Sequence, residues 1–165
     1  LDRRVGVAGA HPLGHRLAGD EALQFGAQVR DRGLVAAARV GQGRFGVGVQ
    51  VLSTVPVMFS YWAKADDCAE ISKFLNDKIA EIVGKNPKRF VGLGTVPMQD
   101  TRLAICELER CKKIGLAGVQ IGSNVNQLNL GEPRFFDFFK ACEELSMAVF
   151  VHPWDMLGQA DMKKY

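Results

Sequence analysis

The chain has 165 residues, 47% of them hydrophobic and 24% charged, with a formal net charge of +3. That length allows one domain with a sizeable core, and no run of about 18 apolar residues predicts a transmembrane helix. The mild charge gives no electrostatic case for nucleic acid or a membrane surface, and the sequence does not predict a secretory signal peptide. We therefore expect a cytoplasmic protein.

The four cysteines lie in segments that the sequence predicts to be helical. They form no C-x-x-C pair, and a disulfide framework is typical of shorter, loop-rich secreted chains. We interpret them as reduced packing residues, which favours a cytosolic setting: Cys68, Cys106, Cys111 and Cys142.

Residues 1–48 differ in composition from residues 49–165. They hold seven arginines, no lysine and ten of the 18 glycines, without a sustained helical or strand period. A basic arm for nucleic acid is one interpretation, but few aromatic residues are interleaved, and a segment outside the fold is favoured. His11 and His15 share a helix face only if Pro12 and Gly14 are helical, which argues against a metal pair.

Regular signals begin at residue 47, where a β-branched run at 47–51 predicts the first strand. Asp66 or Asp67 is expected to cap the following helix, and Gly84 with Pro87 is expected to end it. The apolar stripe of this helix recurs at spacings of three and four: Ile71, Phe74, Leu75, Ile79, Ile82 and Val83.

Three further strands are predicted at 90–93, 118–121 and 147–151. Asp100 or Thr101 is expected to cap the helix that runs to Gly115, and Pro133 suits the first turn of the next one. Four phenylalanines are predicted to form the buried face of that helix: Phe135, Phe136, Phe138 and Phe139.

The alternation of strands with helices of this length predicts an α/β fold. Such strands are parallel with right-handed crossovers, and their apolar sequences fit a sheet that is covered on both faces. Four strands are visible in this pattern.

The carboxyl ends of parallel strands are where α/β proteins place their chemistry. His152 is the one histidine there, and it suits either a zinc site, general acid/base work or a structural hydrogen bond. Trp154 is either a pocket wall or a lid residue, and capping is favoured for Asp155. The polar and aromatic residues at these ends are Ser53, Thr54, Thr95, Ser123, Asn124, His152, Trp154 and Asp155.

Four stretches, 51–64, 89–99, 118–122 and 149–156, resemble the aminocarboxymuconate-semialdehyde decarboxylase family of amidohydrolase-related, zinc-dependent decarboxylases. The resemblance runs from residue 49 to the end. It implies a partial TIM (β/α)8 barrel, a single zinc ion and a homodimer. It also implies non-oxidative decarboxylation of 2-amino-3-carboxymuconate 6-semialdehyde, a small molecule of the kynurenine route of tryptophan breakdown, which limits quinolinate formation.

The family's zinc ligands are an H-x-H pair after the first strand, a histidine in an H-P-W segment and a late aspartate. Carried over to this sequence, the resemblance implies His152 as a metal ligand and Trp154 and Met156 as substrate contacts. His11 and His15 have the wrong spacing for the pair. No catalytic residue is assigned, and we expect the chain to be a fragment of about half a barrel that is inactive alone.

Two alternatives stay open at this point. One is a related decarboxylase or amidohydrolase that acts on another unsaturated or aromatic acid. The other is a non-catalytic half barrel that binds a full-length partner.

Overall fold

The computed structural model describes residues 46–158. Most of the Gly/Arg-rich segment, including His11 and His15, lies outside the described residues. The described elements are β1 (Gln50–Leu52), α1 (Ala65–Lys85), β2 (Phe90–Gly94), α2 (Thr101–Lys113), β3 (Gly118–Gly122), β4 (Asn124–Val125), β5 (Leu128–Asn129), α3 (Phe136–Glu144) and β6 (Ala148–His152), with short 3-10 turns at Pro56–Phe59 and Pro133–Phe135.

A four-stranded parallel sheet organises these elements in the order β1-β2-β3-β6. Since spatial order follows chain order, each helix connects neighbouring strands, as in a barrel built from successive βα units. The predicted parallel α/β arrangement is confirmed. Within residues 46–158, β1 and β6 each pair along one side only.

Helix α1 begins and ends differently from the prediction. Lys64 occupies the N-cap without a side-chain bond, so Asp66 and Asp67 lie inside the first turn, where their charge favours the helix dipole. The helix continues through Gly84, which does not adopt a positive φ, and ends at Lys85. Its end is marked by Asn86, whose N–H donates to the Val83 carbonyl.

Helix α2 follows its sequence signals closely. The Asp100 side chain accepts a hydrogen bond of 2.9 Å from the Leu103 N–H, as expected of an N-cap. Beyond the helix, Gly115 has a φ of +86°, the left-handed conformation that glycine adopts without penalty. Both predicted ends of this helix are confirmed.

The phenylalanine cluster of α3 is only partly buried. Phe135 and Phe138 are fully buried and Phe139 packs against the core, but Phe136 is 57% exposed. A helix turns by 100° per residue, so four positions within five residues cannot share one face. The expectation that Phe136 belongs to the core was therefore wrong.

The main core lies between the sheet and its helices. Its fully buried members include Val96, Met98, Leu108, Val119 and Ile121. All four cysteines are free and helical; three are buried, but Cys106 is exposed and does not pack as predicted.

A buried polar group, here called the Asn76 cluster, joins α1, α2 and the end of β2. Asn76 is fully buried; its amide nitrogen donates to Glu107 at 2.6 Å and to the Thr95 carbonyl at 2.9 Å. Its oxygen accepts from the Thr95 N–H at 2.8 Å. Arg110 grips Glu107 through two nitrogens, at 2.8 and 2.9 Å, and reaches Asp77. Hydrogen bonding to Glu107 raises the pKa of the Arg110 guanidinium, so this charge is permanent.

The sheet has a second face, turned away from the helices. Gly92 and Gly94 face the helices, since added Cβ atoms there would meet helix side chains, so alternation turns Val91 and Leu93 the other way. On the edge strands, Val51 is 56% and Phe150 is 51% exposed.

None of the helices within residues 46–158 has both the length and the apolar character that crossing a membrane requires.

Candidate functional site at the strand ends

A cavity of about 320 Å³ opens beside the carboxyl ends of β3 and β6. Three segments surround it: the loop after β1, the β4–β5 hairpin, and the chain that leaves β6. The residues that line it are Pro56, Val57, Phe59, Ser60, Tyr61, Gly122, Asn124, Asn126, Gln127, Trp154 and Asp155.

The loop after β1 contributes an aromatic wall. Tyr61 stacks on Phe59 with ring centroids 5.5 Å apart, and its hydroxyl oxygen accepts a hydrogen bond of 3.2 Å from the Gly122 N–H. Burial raises the pKa of the Tyr61 hydroxyl above its ordinary value, so the group is a neutral phenol. The sequence analysis did not single out Tyr61, because it follows the strand end by several residues.

The β4–β5 hairpin forms a second wall that the sequence analysis missed. Its two turn residues, Asn126 and Gln127, have positive φ values of 49° and 68°, and asparagine tolerates this conformation better than most residues. The Asn126 amide donates to the Tyr61 carbonyl at 2.8 Å. The asparagine-rich run 123–129 is the signal that could have predicted this turn.

The segment that leaves β6 is the third wall. The Ser123 N–H donates to the His152 carbonyl at 3.0 Å, and its hydroxyl donates to the Trp154 carbonyl at 3.4 Å. The Asn124 amide donates to the Asp155 carbonyl at 2.7 Å. Trp154 and Asp155 therefore line the cavity together with Asn124.

His152 ends β6 opposite Gly122 and stands beside the cavity without lining it. Its ring lies edge-on to Phe150, with centroids 6.3 Å apart. The Nδ1 atom is buried and has no hydrogen-bond partner within residues 46–158. Met156 is 41% exposed and lies outside the cavity lining, so its substrate contact stays a prediction.

Two predicted threonines, Thr54 and Thr95, are held by buried amides that the sequence analysis missed. The Gln120 amide on β3 donates to the Thr54 carbonyl at 3.2 Å, and Asn76 holds both backbone groups of Thr95. The hydroxyls of both threonines are buried without a partner in the described part. Long-range contacts of this kind leave no local sequence pattern.

The described residues do not by themselves make a metal site. Between residues 46 and 158, no three histidine, cysteine, aspartate or glutamate side chains are placed so that they could hold a metal ion, whereas a catalytic zinc needs three protein ligands. His152 supplies one imidazole, and its unpartnered Nδ1 lacks the orienting hydrogen bond that ligating histidines usually make. Among the described residues that line the cavity, Asp155 is the one with a charged side chain.

Comparison with known proteins places the chain in a family. A family model described as Amidohydrolase matches residues 50–163. The 2-amino-3-carboxymuconate-6-semialdehyde decarboxylase of Dictyostelium discoideum is 56% identical over 120 residues, which cover 72% of this chain and 33% of that protein. Across the curated relatives with the longest matches, the chain spans between 33% and 40% of their length.

Solved structures give the same fold. The 5-carboxyvanillate decarboxylase of Sphingomonas paucimobilis superposes with a TM-score of 0.68 at 32% identity, over 74% of this chain and 36% of that one. A dihydroxybenzoic acid decarboxylase of Polaromonas sp. JS666, solved with bound manganese and the inhibitor 2-nitroresorcinol, gives 0.66 at 29% identity, over 77% and 40%. The four parallel strands are thus half of an amidohydrolase-type TIM barrel, and the chain belongs to the amidohydrolase family, beside relatives that are named as decarboxylases.

Proposed function

We propose that residues 50–158 form the N-terminal half of a carboxy-lyase barrel. The observation that carries the proposal is the strand-end placement of His152 and Trp154 beside a cavity, in a chain that is 56% identical over 120 residues to a named decarboxylase. Decarboxylation breaks the bond between a carbon and its carboxyl group, releases CO2 and puts a proton on that carbon. Apart from Asp155, the cavity is lined by aromatic, aliphatic and amide or hydroxyl residues, and such walls suit a planar, unsaturated acid.

The substrate proposed first is 2-amino-3-carboxymuconate 6-semialdehyde, the kynurenine-route compound that the resemblance implies. Support comes from the greater identity to the Dictyostelium relative than to the aromatic-acid decarboxylases. An aromatic acid such as 2,6-dihydroxybenzoate is the second candidate. It is favoured by the superposition on decarboxylases of aromatic acids at TM-scores of 0.66 to 0.68.

His152 is proposed to be one ligand of a divalent cation, zinc by resemblance, that serves the complete barrel. Manganese is the ion in the Polaromonas structure. Because the described residues lack further ligands, we propose that this chain alone neither retains the metal nor decarboxylates substrate. Four free thiols favour a reducing cytosolic setting, and the homodimer is a further proposal.

A chimaera tests the function directly. Residues 50–163 of this chain replace the matched segment of the Dictyostelium enzyme, and loss of the semialdehyde is followed by absorbance, with 2,6-dihydroxybenzoate as the alternative substrate. We expect turnover of the semialdehyde, and a drop of at least about a hundredfold together with loss of bound metal in its His152→Ala variant. The matched control is Lys140→Gln, an exposed position on α3.

Several results would contradict these proposals. Unchanged activity and metal content in His152→Ala would remove the ligand assignment, and turnover of 2,6-dihydroxybenzoate alone would favour the second substrate. A folded chimaera that uses neither acid would overturn the decarboxylase function of this segment. Stoichiometric zinc, or ordinary turnover, in the purified 165-residue chain would contradict its proposed inactivity.

A further inference from the structure

We propose that Asn124 is a positioning residue whose side-chain amide fixes the path of the chain from His152 to Asp155. The proposal deepens the proposed function, because His152 and Trp154 belong to the site assigned there. Asn124 stands on β4, two residues after Gly122, the register partner of His152. It acts through the backbone of its neighbours and not on substrate.

The amide of Asn124 is oriented by its own hydrogen bonds. Its oxygen accepts from the Gln127 N–H at 3.3 Å, which directs the nitrogen toward the chain beyond β6. That nitrogen donates to the Asp155 carbonyl at 2.7 Å and lies 3.5 Å from the Trp154 carbonyl. Asn124 is 7% exposed, so water competes little for these contacts.

The chain beyond β6 needs such a holder. Pro153 has no N–H to continue the ladder, and Asp155 has a φ of +47°, which is unfavourable for a residue with a Cβ. Strained backbone of this kind persists where the surrounding structure over-determines it. Ser123 and Asn124 do so by bonding the carbonyls of His152, Trp154 and Asp155.

Asn126 provides a matched control on the same hairpin. Its amide also donates to a backbone carbonyl, but that carbonyl belongs to Tyr61 on the opposite wall of the cavity. Asn126 has a φ of +49°, so Asn126→Gly removes the side chain while keeping a conformation that glycine accepts. The two asparagines therefore hold different walls, and their variants are expected to have separable effects.

Trp154 is a built-in reporter, since the chain has two tryptophans and a Trp62→Phe background leaves Trp154 alone. Acrylamide quenching is measured in the full chain with Asn124→Asp, Ser123→Ala and Asn126→Gly, beside far-UV circular dichroism. Asn124→Asp keeps the shape but puts a carboxylate, which cannot donate, against two carbonyls. We expect its quenching constant to rise about twofold, since Trp154 starts at 47% exposure and the released segment moves toward full exposure.

Ser123→Ala, which loses the 3.4 Å bond, is expected to give a smaller rise, and Asn126→Gly none. A folded Asn124→Asp chain with parental quenching, or an equal rise in Asn126→Gly, overturns the proposal. If Asn124→Asp does not fold, Asn124→Ala decides, and its parental quenching then overturns the proposal. The quenching measurement does not depend on turnover. If the variants show these separable effects while the chimaera is inactive, the proposed function fails and the role of Asn124 stands.

Discussion

Two polar regions, the Asn76 cluster on the helix side and the strand ends on the other, differ in the completeness of their hydrogen bonding. On the helix side, the Asn76 cluster uses its amide, carboxylate and guanidinium groups in mutual contacts. On the strand-end side, the hydroxyls of Thr54 and Thr95 and the Nδ1 of His152 are buried without partners in the described residues.

The contrast separates a fully hydrogen-bonded polar cluster from a set of strand-end groups that includes unpaired atoms. A fully hydrogen-bonded buried network specifies how helices dock on a sheet. A buried polar group without a partner instead lowers the free energy of unfolding, unless another interaction offsets its desolvation. Thr95 belongs to both regions, since Asn76 holds its backbone while its hydroxyl stays unpaired. The helix side therefore fixes the geometry that the strand-end side uses.

Breaking the helix side gives the largest expected effect. Asn76→Ala leaves the Thr95 N–H and the Glu107 carboxylate short of a partner, and should lower the free energy of unfolding by about 3 kcal/mol. Urea unfolding followed by circular dichroism measures it. Glu70→Gln, which removes an exposed ion pair with Lys73, is the control and should leave the midpoint unchanged. Equal midpoints for both variants would show that the cluster is not structural.

Gly94→Ala tests the same docking by steric means. An added Cβ would lie 2.7 Å from the Cys111 Sγ and 2.9 Å from the Asn76 Oδ1, and overpacking of this kind costs about 2 kcal/mol. Gly84→Ala meets nothing within 4 Å inside α1, and should stabilise the chain by about 1 kcal/mol. The same unfolding experiment compares them, and opposite signs are expected.

The strand-end side should respond in the other direction. Thr95→Val replaces an unpartnered hydroxyl by a methyl group of similar size, and should raise the free energy of unfolding by about 1 kcal/mol. A loss of stability in the same measurement would mean that this hydroxyl is satisfied, and the contrast between the two regions would fail.

The buried thiols give the smallest effect, confined to alkaline pH. Burial raises the pKa of the Cys111 thiol from about 9 to about 12. Because the folded-state value is the higher one, this contribution is complete below about pH 9 and is lost as the pH rises toward 12. Between pH 8 and pH 10, the unfolding midpoint should fall less in Cys111→Ser than in the parent. Cys106→Ser, at an exposed position, is the control. Equal losses in all three chains would contradict the assignment.

Sequence reasoning predicted those parts that local chemistry dictates. The Asp100 cap and the order of strands and helices follow from patterns within a few residues. The predicted start of α1 was wrong because two adjacent aspartates suit the first turn of a helix as well as its N-cap.

The site itself was only half predictable. Tyr61 and Gln120 reach their partners across more than sixty residues, and no local pattern reports such a contact. The metal ligand assigned to His152 and the substrate contact assigned to Met156 stay predictions, since they concern groups that the described half of the barrel does not hold.

The agreement between chain order and spatial order in the sheet also has a kinetic meaning. Each new strand of the four-stranded sheet pairs with the strand of that sheet that precedes it in the chain, so the sheet can grow by one βα unit at a time without a long loop closure. During synthesis, the growing edge is the last strand made, and β6 carries exposed Phe150 and Val151 there. A pause in translation just after β6 would therefore leave an unpaired strand edge with exposed apolar side chains. Chaperone binding is expected to be greatest when the nascent chain ends just after β6.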